Sequence, residues 1–242
     1  MAGTSRGVRR SLPAWVVMIV RRGLERLDPY VNLSYSQEGE DMILRRLLER
    51  QQRGFYVDVG AHDPYRFSNT CYFHRRGWRG INIDPNPLAI KAFDRERAAD
   101  VNVCVGVADV PGKLMFHLFN DPALNTFDAD LARERVKLPF YRLLETRDVP
   151  VRRLDDLLRQ YLPQGQKIDF LSVDVEGMDL AVLRSNDWTQ FRPHLLLVEA
   201  HQRFASGVEG DPVNSFATEI GYQLIAKTLN TLIYEDIRDS RD

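Results

Sequence analysis

Cysteine is scarce in this chain of 242 residues, which holds only Cys71 and Cys104. Two cysteines cannot build a disulfide framework, and these two do not form a C-x-x-C pair, so the composition predicts a cytoplasmic protein in a reducing compartment. An excess of charge of either sign is also lacking, because 33 Lys and Arg residues face 34 Asp and Glu residues. The balance argues against a nucleic-acid partner and leaves the choice of partner to local features.

The apolar run near the amino terminus is too short to cross a bilayer. Residues 12–20 (LPAWVVMIV) give nine apolar positions, whereas a spanning helix needs roughly 20. Arginines flank this run, so two interpretations remain: a helix packed on the main domain, or weak peripheral contact of residues 12–22 with the inner face of an anionic membrane. We assign residues 1–34 to a basic, helical extension and residues 35–242 to the main domain.

Glycine and proline punctuate the rest of the chain into alternating strands and helices. Predicted strands cover residues 55–59, 81–84, 101–107, 113–119, 168–175 and 195–198, followed by an antiparallel pair at 222–226 and 229–234. Predicted helices cover residues 66–76, 88–98, 154–161 and 217–220. This alternation predicts a doubly wound α/β sheet, which binds ligands beyond the carboxyl ends of its strands.

The segment 120–150 has no clean period, and long irregular segments in compact domains are usually lids or binding loops. It is therefore a candidate substrate cover. Its aromatic and basic residues suit either a sugar-binding face or an ordinary amphipathic helix, and they are Phe127, Arg133, Arg135, Phe140, Tyr141 and Arg142.

The glycine-rich turn G-x-G-x-x-G, which a pyrophosphate needs, is absent from the first strand end. Asp58 and Gly60 lie there instead, and Asp84 ends the next strand, 24 residues after Gly60. An acid at that position can accept hydrogen bonds from both hydroxyls of a ribose. The pattern predicts a site for a nucleoside without a diphosphate and argues against a nicotinamide-dependent oxidoreductase. A plain structural turn remains the alternative for Asp58 and Gly60.

Acidic residues end the two later strands as well. Asp174 and Glu176 lie two positions apart, and an extended backbone would point them to one side. Glu199 and His201 repeat the pattern on the neighbouring strand. A histidine there is a candidate general base, with a surface or capping histidine as the alternative. The acids could also hold a divalent cation, although no chelating signature is present. Weaker candidates for the base are His62, His74, His117 and His194.

Six segments resemble the FkbM family of S-adenosylmethionine-dependent methyltransferases, and they span residues 35 to about 201. They are YSQEGED at 35–41, VDVGAH at 57–62, IDP at 83–85, LNTF at 124–127, DFLSVDVEG at 169–177 and LVE at 197–199. Each segment is unspecific alone, but their order and spacing together are specific. The resemblance implies a seven-stranded, Rossmann-like class I methyltransferase sheet with helices on both faces, S-adenosylmethionine as the cofactor, and O-methylation of a sugar or polyketide hydroxyl.

By position, the resemblance implies that residues at three strand ends and in one segment before the sheet contact the cofactor. It implies contacts of the methionine end with Asp58, Gly60, Ala61 and His62, of the ribose with Asp84, and of the adenine with Ala108 and Asp109. It also implies that the segment holding Gln37 and Asp41 folds over the cofactor. The residues of that segment fit the N-terminus of a helix equally well.

We predict a methyltransferase that acts on a hydroxyl of a sugar, first of all a deoxysugar of a glycolipid or saccharide. His201 is the hypothetical base, with Asp174 or Glu199 orienting it and Glu176 completing the acidic set. A polyketide or peptide acceptor is the second interpretation. A catalytically inactive binding module with the same fold is the third.

Overall fold

The computed structural model describes residues 30–200 and 210–238, together with Gly23 and Val208. The chain divides into two units, residues 1–34 and residues 35–242. The two interpretations of residues 12–22 concern positions outside the described residues. The second unit contains both sheets of the described chain and all the helices that pack on them.

The described residues of this unit form ten strands, seven α-helices and one 3-10 turn. The strands are β1 (Phe55–Val59), β2 (Arg79–Asp84), β3 (Val101–Cys104), β4 (Gly106–Val107), β5 (Gly112–Phe119), β6 (Leu143–Arg152), β7 (Phe170–Val173), β8 (Leu195–Glu199), β9 (Tyr222–Lys227) and β10 (Thr231–Asp236). The helices are α1 (Glu40–Leu47), α2 (Cys71–Arg75), α3 (Pro87–Glu96), α4 (Ala129–Val136), α5 (Leu154–Tyr161), α6 (Asp179–Arg184) and α7 (Pro212–Glu219), and the 3-10 turn is Pro122–Leu124.

Seven strands form the main sheet in the order β3-β2-β1-β7-β8-β10-β9. The first five are parallel, and β10 is antiparallel to both β8 and β9. Val59, the last residue of β1, pairs with Ile83 on one side and with Val173 on the other. The chain order reverses between β1 and β7, which is where open α/β sheets bind ligands. The predicted doubly wound, seven-stranded sheet is confirmed.

Apolar side chains cover both faces of this sheet, because helices cover both faces. Val57 and Val59 belong to one buried cluster, which also contains Leu154 and Leu157 of α5. Tyr56 belongs to a second cluster on the opposite face, with residues of α1 and α2. Successive residues of a strand point to opposite faces, so both clusters draw on the same short strands.

Residues 101–107 do not form the single predicted strand. β3 ends at Cys104, and β4 leaves the main sheet for a second sheet with the order β4-β6-β5. The apolar run continues through the break because Val105 and Val107 are both buried. A break between two buried segments leaves no mark in the hydrophobic pattern.

The segment 120–150 is more regular than its pattern suggests, since it contains the 3-10 turn, α4 and most of β6. β6 pairs antiparallel with β5, and most of its residues are exposed. The half-exposed strand therefore lacks an apolar run, and Pro150 argues further against a strand.

The predicted helices at 66–76 and 217–220 have the wrong limits, whereas the helix at 154–161 and the antiparallel pair near the carboxyl terminus are confirmed. The first helix covers only α2, because Asp63 accepts hydrogen bonds from the backbone N–H groups of Tyr65 and Arg66 and forms a turn there. The second helix begins earlier, at Pro212, after the N-cap residue Asp211. Pro directly after an acidic cap is a recognised helix start.

Candidate active site

A crevice opens beyond the carboxyl ends of β1, β2 and β7. It combines a polar floor of loop and strand-end residues with apolar walls from α3, the second sheet and the 3-10 turn. This mixture of polar and apolar side chains is typical of a small-molecule site. The residues that line it are Gln37, Val59, Gly60, His62, Phe67, Ile83, Asp84, Pro85, Asn86, Ala89, Val105, Val107, Phe116, Pro122, Ala123, Asn125, Phe127, Asp174, Val175 and Glu176.

Gly60 lets two chain segments cross at the floor of the crevice. Its φ angle is +81°, and a Cβ atom added there would lie 1.7 Å from the carbonyl oxygen of Asp174. The Gly60 N–H donates to the carbonyl oxygen of Ile83 over 2.9 Å, which ties the β1 turn to β2. Glycine is therefore required by backbone conformation and by backbone contact together.

Replacing Gly60 by alanine is expected to lower the free energy of unfolding much more than the same change at Gly165. Gly165 has a similar φ of +76°, but nothing lies within 4 Å of its added Cβ. Both variants carry the conformational strain, so the difference between them reports the collision alone, about 2 kcal/mol or more. In thermal unfolding, G60A should melt about 4–8 °C below G165A. Equal melting points would contradict the assigned backbone crossing.

Asp84 ends β2 with its carboxylate held by two backbone donors. Oδ2 accepts from the His62 N–H over 2.9 Å, and Oδ1 accepts from the Asn86 N–H over 2.7 Å. Burial raises the pKa of Asp84 to about 6, although these two hydrogen bonds oppose the shift. Each oxygen keeps a second lone pair, so the carboxylate can accept from two further hydroxyl groups.

An apolar slot adjoins this carboxylate. Ala89 from α3 lines it on one side, and Val105 and Val107 line it on another. Phe116 and Phe127 close it, with their ring centroids 4.7 Å apart. A slot between buried aliphatic and aromatic side chains suits a flat, weakly polar ring.

The rim of the crevice is joined by an ion pair between two loops. Both terminal guanidinium nitrogens of Arg66 lie 3.0 Å from the carboxylate oxygens of Asp121. Next to them, the rings of Phe67 and His62 stack with a centroid distance of 6.4 Å. Within the described residues, the buried Nε2 atom of His62 has no hydrogen-bond partner, and burial lowers the pKa of this histidine.

Three carboxylates gather where β7 and β8 end. Ligand atoms of Asp174, Glu176 and Glu199 lie within 4.8 Å of one another. Like charges at this separation repel unless a proton or a cation intervenes. Arg135 of α4 supplies one cation, since its guanidinium pairs with the Glu176 carboxylate and also donates to the carbonyl oxygen of Leu124.

Glu176 reaches the cluster by a different route from the one predicted. β7 ends at Val173, and Glu176 has a φ of +56°, so the backbone there is left-handed rather than extended. The hydroxyl of Thr126 donates to the Glu176 carbonyl oxygen over 2.7 Å. The loop is therefore fixed by the segment after β5, and the expectation of an extended backbone was wrong.

Asp174 and Glu199 share a hydrogen bond within the cluster. The pKa of Asp174 is raised by loss of solvent in the concave crevice and by the charges of Glu176 and Asp179. The pKa of Glu199 is raised by burial and by the charge of Asp174. Because the Asp174 residue is exposed to crevice water and Glu199 is half-buried, we assign the shared proton to Glu199. The pair is then one carboxylate and one carboxylic acid at neutral pH.

Several residues that the sequence nominated lie away from the crevice. The Asp58 carboxylate is buried and accepts from the Thr70 hydroxyl over 2.8 Å, because its side chain points to the sheet face opposite Val57 and Val59. Burial raises its pKa. Ala61 is buried, and its N–H donates to the Ile83 carbonyl oxygen.

Ala108 and Asp109 do not line the crevice either. Ala108 is buried with its N–H bonded to the Arg152 carbonyl oxygen, and Asp109 is exposed. Both follow β4, which has turned into the second sheet, whereas Val105 and Val107 line the crevice. The adenine contact that the resemblance implies for Ala108 and Asp109 stays a prediction, and the departure of β4 is the physical reason why these two residues lie outside the crevice.

Gln37 lines the crevice, whereas Asp41 anchors the segment that carries it. The Asp41 carboxylate accepts from the Tyr35 N–H and the Ser36 hydroxyl and pairs with Arg45. Asp41 lies in the first turn of α1, which begins at Glu40. Asp41 therefore fits the N-terminus of a helix, and contact of Gln37 with the cofactor stays a prediction.

The histidines proposed as candidate bases lie in different parts of the domain. His62 lies at the crevice, but His74 pairs with Asp100 over 3.3 Å, and His194 lies near Glu235 at the opposite edge of the sheet. His117 lies on β5 in the second sheet. His201 lies outside the described residues, two positions after Glu199 at the end of β8.

The family described as the methyltransferase FkbM domain matches residues 58–224, which is more than half of the chain. The matched region contains the crevice floor, the acidic cluster and all or part of six of the seven strands of the main sheet. This chain belongs to the FkbM methyltransferase family. A domain of this family is a methyltransferase domain, with S-adenosylmethionine as its cofactor.

Comparisons with individual proteins are shorter or more distant. A stretch of 46 residues is 48% identical to the methyltransferase sdnD of Sordaria araneosa, covering 16% of this chain and 18% of that protein. The chain thus matches less than a fifth of the length of this curated relative. The fold is also similar to a methyltransferase from Geobacter sulfurreducens, at 15% identity and a TM-score of 0.44 over 95% of this chain and 91% of that one. The O-methyltransferase from Bacillus cereus in complex with SAH gives 12% identity and a TM-score of 0.42 over 94% and 92%.

The donor set of the FkbM crevice fits S-adenosylmethionine. The two oxygens of Asp84 suit the vicinal hydroxyls of a ribose, and the adjoining apolar slot suits a purine. Sequence reasoning missed the crevice residues Asn86 and Phe116, and it missed the ion pair of Arg135 with Glu176. The asparagine directly after Asp84-Pro85 was the available signal for Asn86, because an Asn before a Pro-led helix is a strong N-cap.

The affinity of the FkbM domain for S-adenosylhomocysteine is expected to fall as the pH drops through about 6. Asp84 has a raised pKa of about 6, and the ribose hydroxyls donate best to its ionised form. The full affinity is therefore present above that pH and declines by up to about tenfold per pH unit below it. Calorimetric titrations between mildly acidic and neutral pH measure this slope. The Asp84→Asn variant should have none, and a slope that persists in it would assign the titration to another group.

The part of the chain that the structure describes holds no helix with both the length and the apolar character that a bilayer crossing requires.

Proposed function

We propose that this FkbM methyltransferase transfers a methyl group to a hydroxyl of a saccharide. The observation that carries the proposal is the acid–carboxylate pair of Asp174 and Glu199 beside the crevice. A carboxylate accepts a strong hydrogen bond from a hydroxyl and can also take its proton, which suits an acceptor with several neighbouring hydroxyl groups.

Asp84 holds the ribose hydroxyls in this proposal, and the apolar slot between Ala89 and Val105 holds the adenine. Gly60 keeps the crevice floor low, because any side chain there would meet the backbone of Asp174. When bound, S-adenosylmethionine supplies an electrophilic methyl carbon on a sulfonium. The protein then contributes chiefly by aligning the acceptor oxygen, worth up to roughly 7–11 kcal/mol for well-oriented partners.

Asp174 is the proposed proton acceptor. Its pKa is raised well above the usual range by loss of solvent in the concave crevice and by the neighbouring acids, which suits a general base better than an ordinary carboxylate does. Glu199, which keeps the shared proton, donates a hydrogen bond to Asp174 and positions it, while Glu176 stays paired with Arg135. His201 remains the alternative base on the sequence argument alone. A divalent cation among the three carboxylates is a second alternative, with one side of the cluster already occupied by Arg135.

The proposed cover of the acceptor is the segment 120–142. Its 3-10 turn lines the crevice, the Thr126 hydroxyl binds the Glu176 backbone, and α4 delivers Arg135 to the Glu176 side chain. These contacts tie the segment to the acids that would meet an acceptor. A segment tied to both the cofactor crevice and the acidic cluster can exclude water from both.

The proposed acceptor is a deoxysugar of a glycolipid or of a free saccharide, in the cytoplasm or at the inner face of the membrane. Residues 35–242 form the catalytic domain in this proposal, and residues 1–34 form an extension. A polyketide or peptide acceptor would also bring hydroxyl groups, and it is an outcome of the test. The presence of Asp84, Asp174 and Glu199 at the crevice argues against an inactive module.

Incubation of the full chain with isotopically labelled S-adenosylmethionine and fractionated cell extracts tests the proposal. We expect label in a glycolipid or polysaccharide fraction, with a mass gain of one CH₂ in a sugar fragment. The Asp174→Asn variant serves as the inactive control. Label that appears only in polyketide or peptide fractions would overturn the saccharide assignment, and label in no fraction with intact cofactor binding would favour the inactive module.

A further inference from the structure

Residues 136–144, which we call the apolar tip, connect α4 to β6 and expose an unusual number of large apolar side chains. The exposed fractions are 51% for Val136, 49% for Leu138, 82% for Phe140, 41% for Leu143 and 66% for Leu144. These are five of the 14 exposed large apolar residues in the described part of the chain. Isolated exposed apolar residues are normal, but a cluster within nine consecutive positions indicates an interaction surface.

The backbone of the apolar tip is held so that these side chains face outward. The Tyr141 N–H donates to the Leu138 carbonyl oxygen over 3.2 Å, which closes a turn. Asn120 then clamps the tip from the neighbouring strand end, since its side chain accepts from the Arg142 N–H over 2.6 Å and its N–H donates to the Arg142 carbonyl oxygen over 3.0 Å. The exposure is therefore built into hydrogen-bonded structure.

The charges of the apolar tip are all positive. Lys137 and Arg142 are exposed, and the nine residues contain no acid. In the wider segment 133–147, Arg133 and Arg135 are already paired with Asp130 and Glu176, and Arg147 lies 4.0 Å from Glu145. Lys137 and Arg142 are therefore the charges that the tip presents. Apolar side chains interleaved with cations match the interface of an anionic bilayer. The apolar side chains can pack among the acyl chains, and the cations can bind the anionic head groups.

We propose that the apolar tip docks this protein on an anionic membrane surface. A second copy of the chain is a poorer occupant, because a two-fold contact would bring Lys137 and Arg142 against their own copies. The apolar tip is a different segment of the sequence from residues 12–22, which carry a membrane interpretation from sequence alone.

The tip is directly connected to the crevice rim. Asn120, which clamps the tip, precedes Asp121, the partner of Arg66, and Pro122 and Ala123 line the crevice. Docking would therefore hold the crevice mouth beside the lipid surface. That this position would bring a lipid-linked acceptor to the crevice rests on the proposed function. The docking of the apolar tip on a membrane does not.

Flotation of the full chain with phosphatidylcholine vesicles, with and without phosphatidylglycerol, tests the docking in the absence of any acceptor. We expect binding to the anionic vesicles that weakens at high salt. The double variant Phe140→Ser, Leu144→Ser should weaken it by about tenfold per side chain. The double variant Lys137→Gln, Arg142→Gln should weaken it by about fivefold per charge.

Matched controls come from the opposite edge of the sheet. Ile237 is 64% exposed at the end of β10, and Arg53 and Lys167 are exposed before β1 and β7. Ile237→Ser and the pair Arg53→Gln, Lys167→Gln should leave vesicle binding unchanged. All variants should keep the melting point and the affinity for S-adenosylhomocysteine, which shows that they fold.

Three results would overturn the proposal. One is that the protein does not float with anionic vesicles. Another is that binding persists unchanged in the Phe140→Ser, Leu144→Ser variant, which would assign it to another segment. The third is a concentration-dependent dimer, detected by light scattering, that is lost in the Phe140→Ser, Leu144→Ser variant. The apolar tip would then be a contact between two copies of the chain. None of these results depends on the identity of the acceptor, so failure here leaves the methyltransferase proposal standing.

Discussion

Replacing Asp84 by asparagine is expected to weaken the binding of S-adenosylhomocysteine by about 100-fold, because two hydrogen bonds to a charged acceptor are worth about 1.5–3 kcal/mol each and most of that is lost. The amide also presents an N–H₂ group to one of the two backbone donors, His62 N–H or Asn86 N–H, where the carboxylate accepted. Isothermal titration calorimetry of the two proteins measures the change.

The matched control for this change is Glu219→Gln, which removes a carboxylate charge from an exposed position on α7, far from the crevice. Its affinity should equal that of the unaltered protein. The melting point of Asp84→Asn without ligand separates a folding defect from a binding defect. A variant that still binds within about threefold would show that the ribose lies elsewhere, and the assignment of the crevice would fail with it.

Replacing Asp174 by asparagine is expected to lower kcat by about 10²- to 10⁴-fold, the range that a general base contributes. The Kd for S-adenosylhomocysteine should change only a few-fold, since Asp84 and the apolar slot remain. Glu199→Gln keeps a hydrogen-bond donor to Asp174, so we expect a smaller loss of kcat than in Asp174→Asn. Methyl transfer to the acceptor, once found, measures both.

Asp148→Asn is the matched control, because Asp148 is an exposed acid on β6 of the second sheet. The variant His201→Ala tests the rival base directly. If His201→Ala loses turnover while Asp174→Asn keeps it, the base is the histidine. Loss of activity on addition of a chelator, restored by magnesium, would instead assign the three carboxylates to a cation.

The sequence was most informative where one local rule decided the outcome. Leu154 to Tyr161 repeats apolar residues at helical spacing, and α5 has these limits. Asp84 was assigned to a strand end from an apolar run stopped by Pro85, and β2 ends there. Helical periodicity and turn formation depend only on near neighbours along the chain, so both can be predicted from the sequence pattern.

The candidate site depended instead on contacts between distant segments. Asp58 follows the same strand pattern as Asp84, but only the packed sheet decides that its side chain faces Thr70 rather than the crevice. Arg135 and Glu176 are 41 positions apart, and no spacing rule connects them. The positive φ of Glu176 likewise has no signature in the sequence, because a glutamate rarely adopts it.

By itself the sequence determined the alternation of strands and helices, the family, the cofactor and the acids that follow the strands. Only the tertiary structure decided which of those acids meet, where β4 leaves the main sheet, and that residues 136–144 turn outward. The reason is physical. Secondary structure follows from the periodicity of neighbouring residues, whereas a site is made where separate elements converge, and their convergence is set by packing across the whole domain.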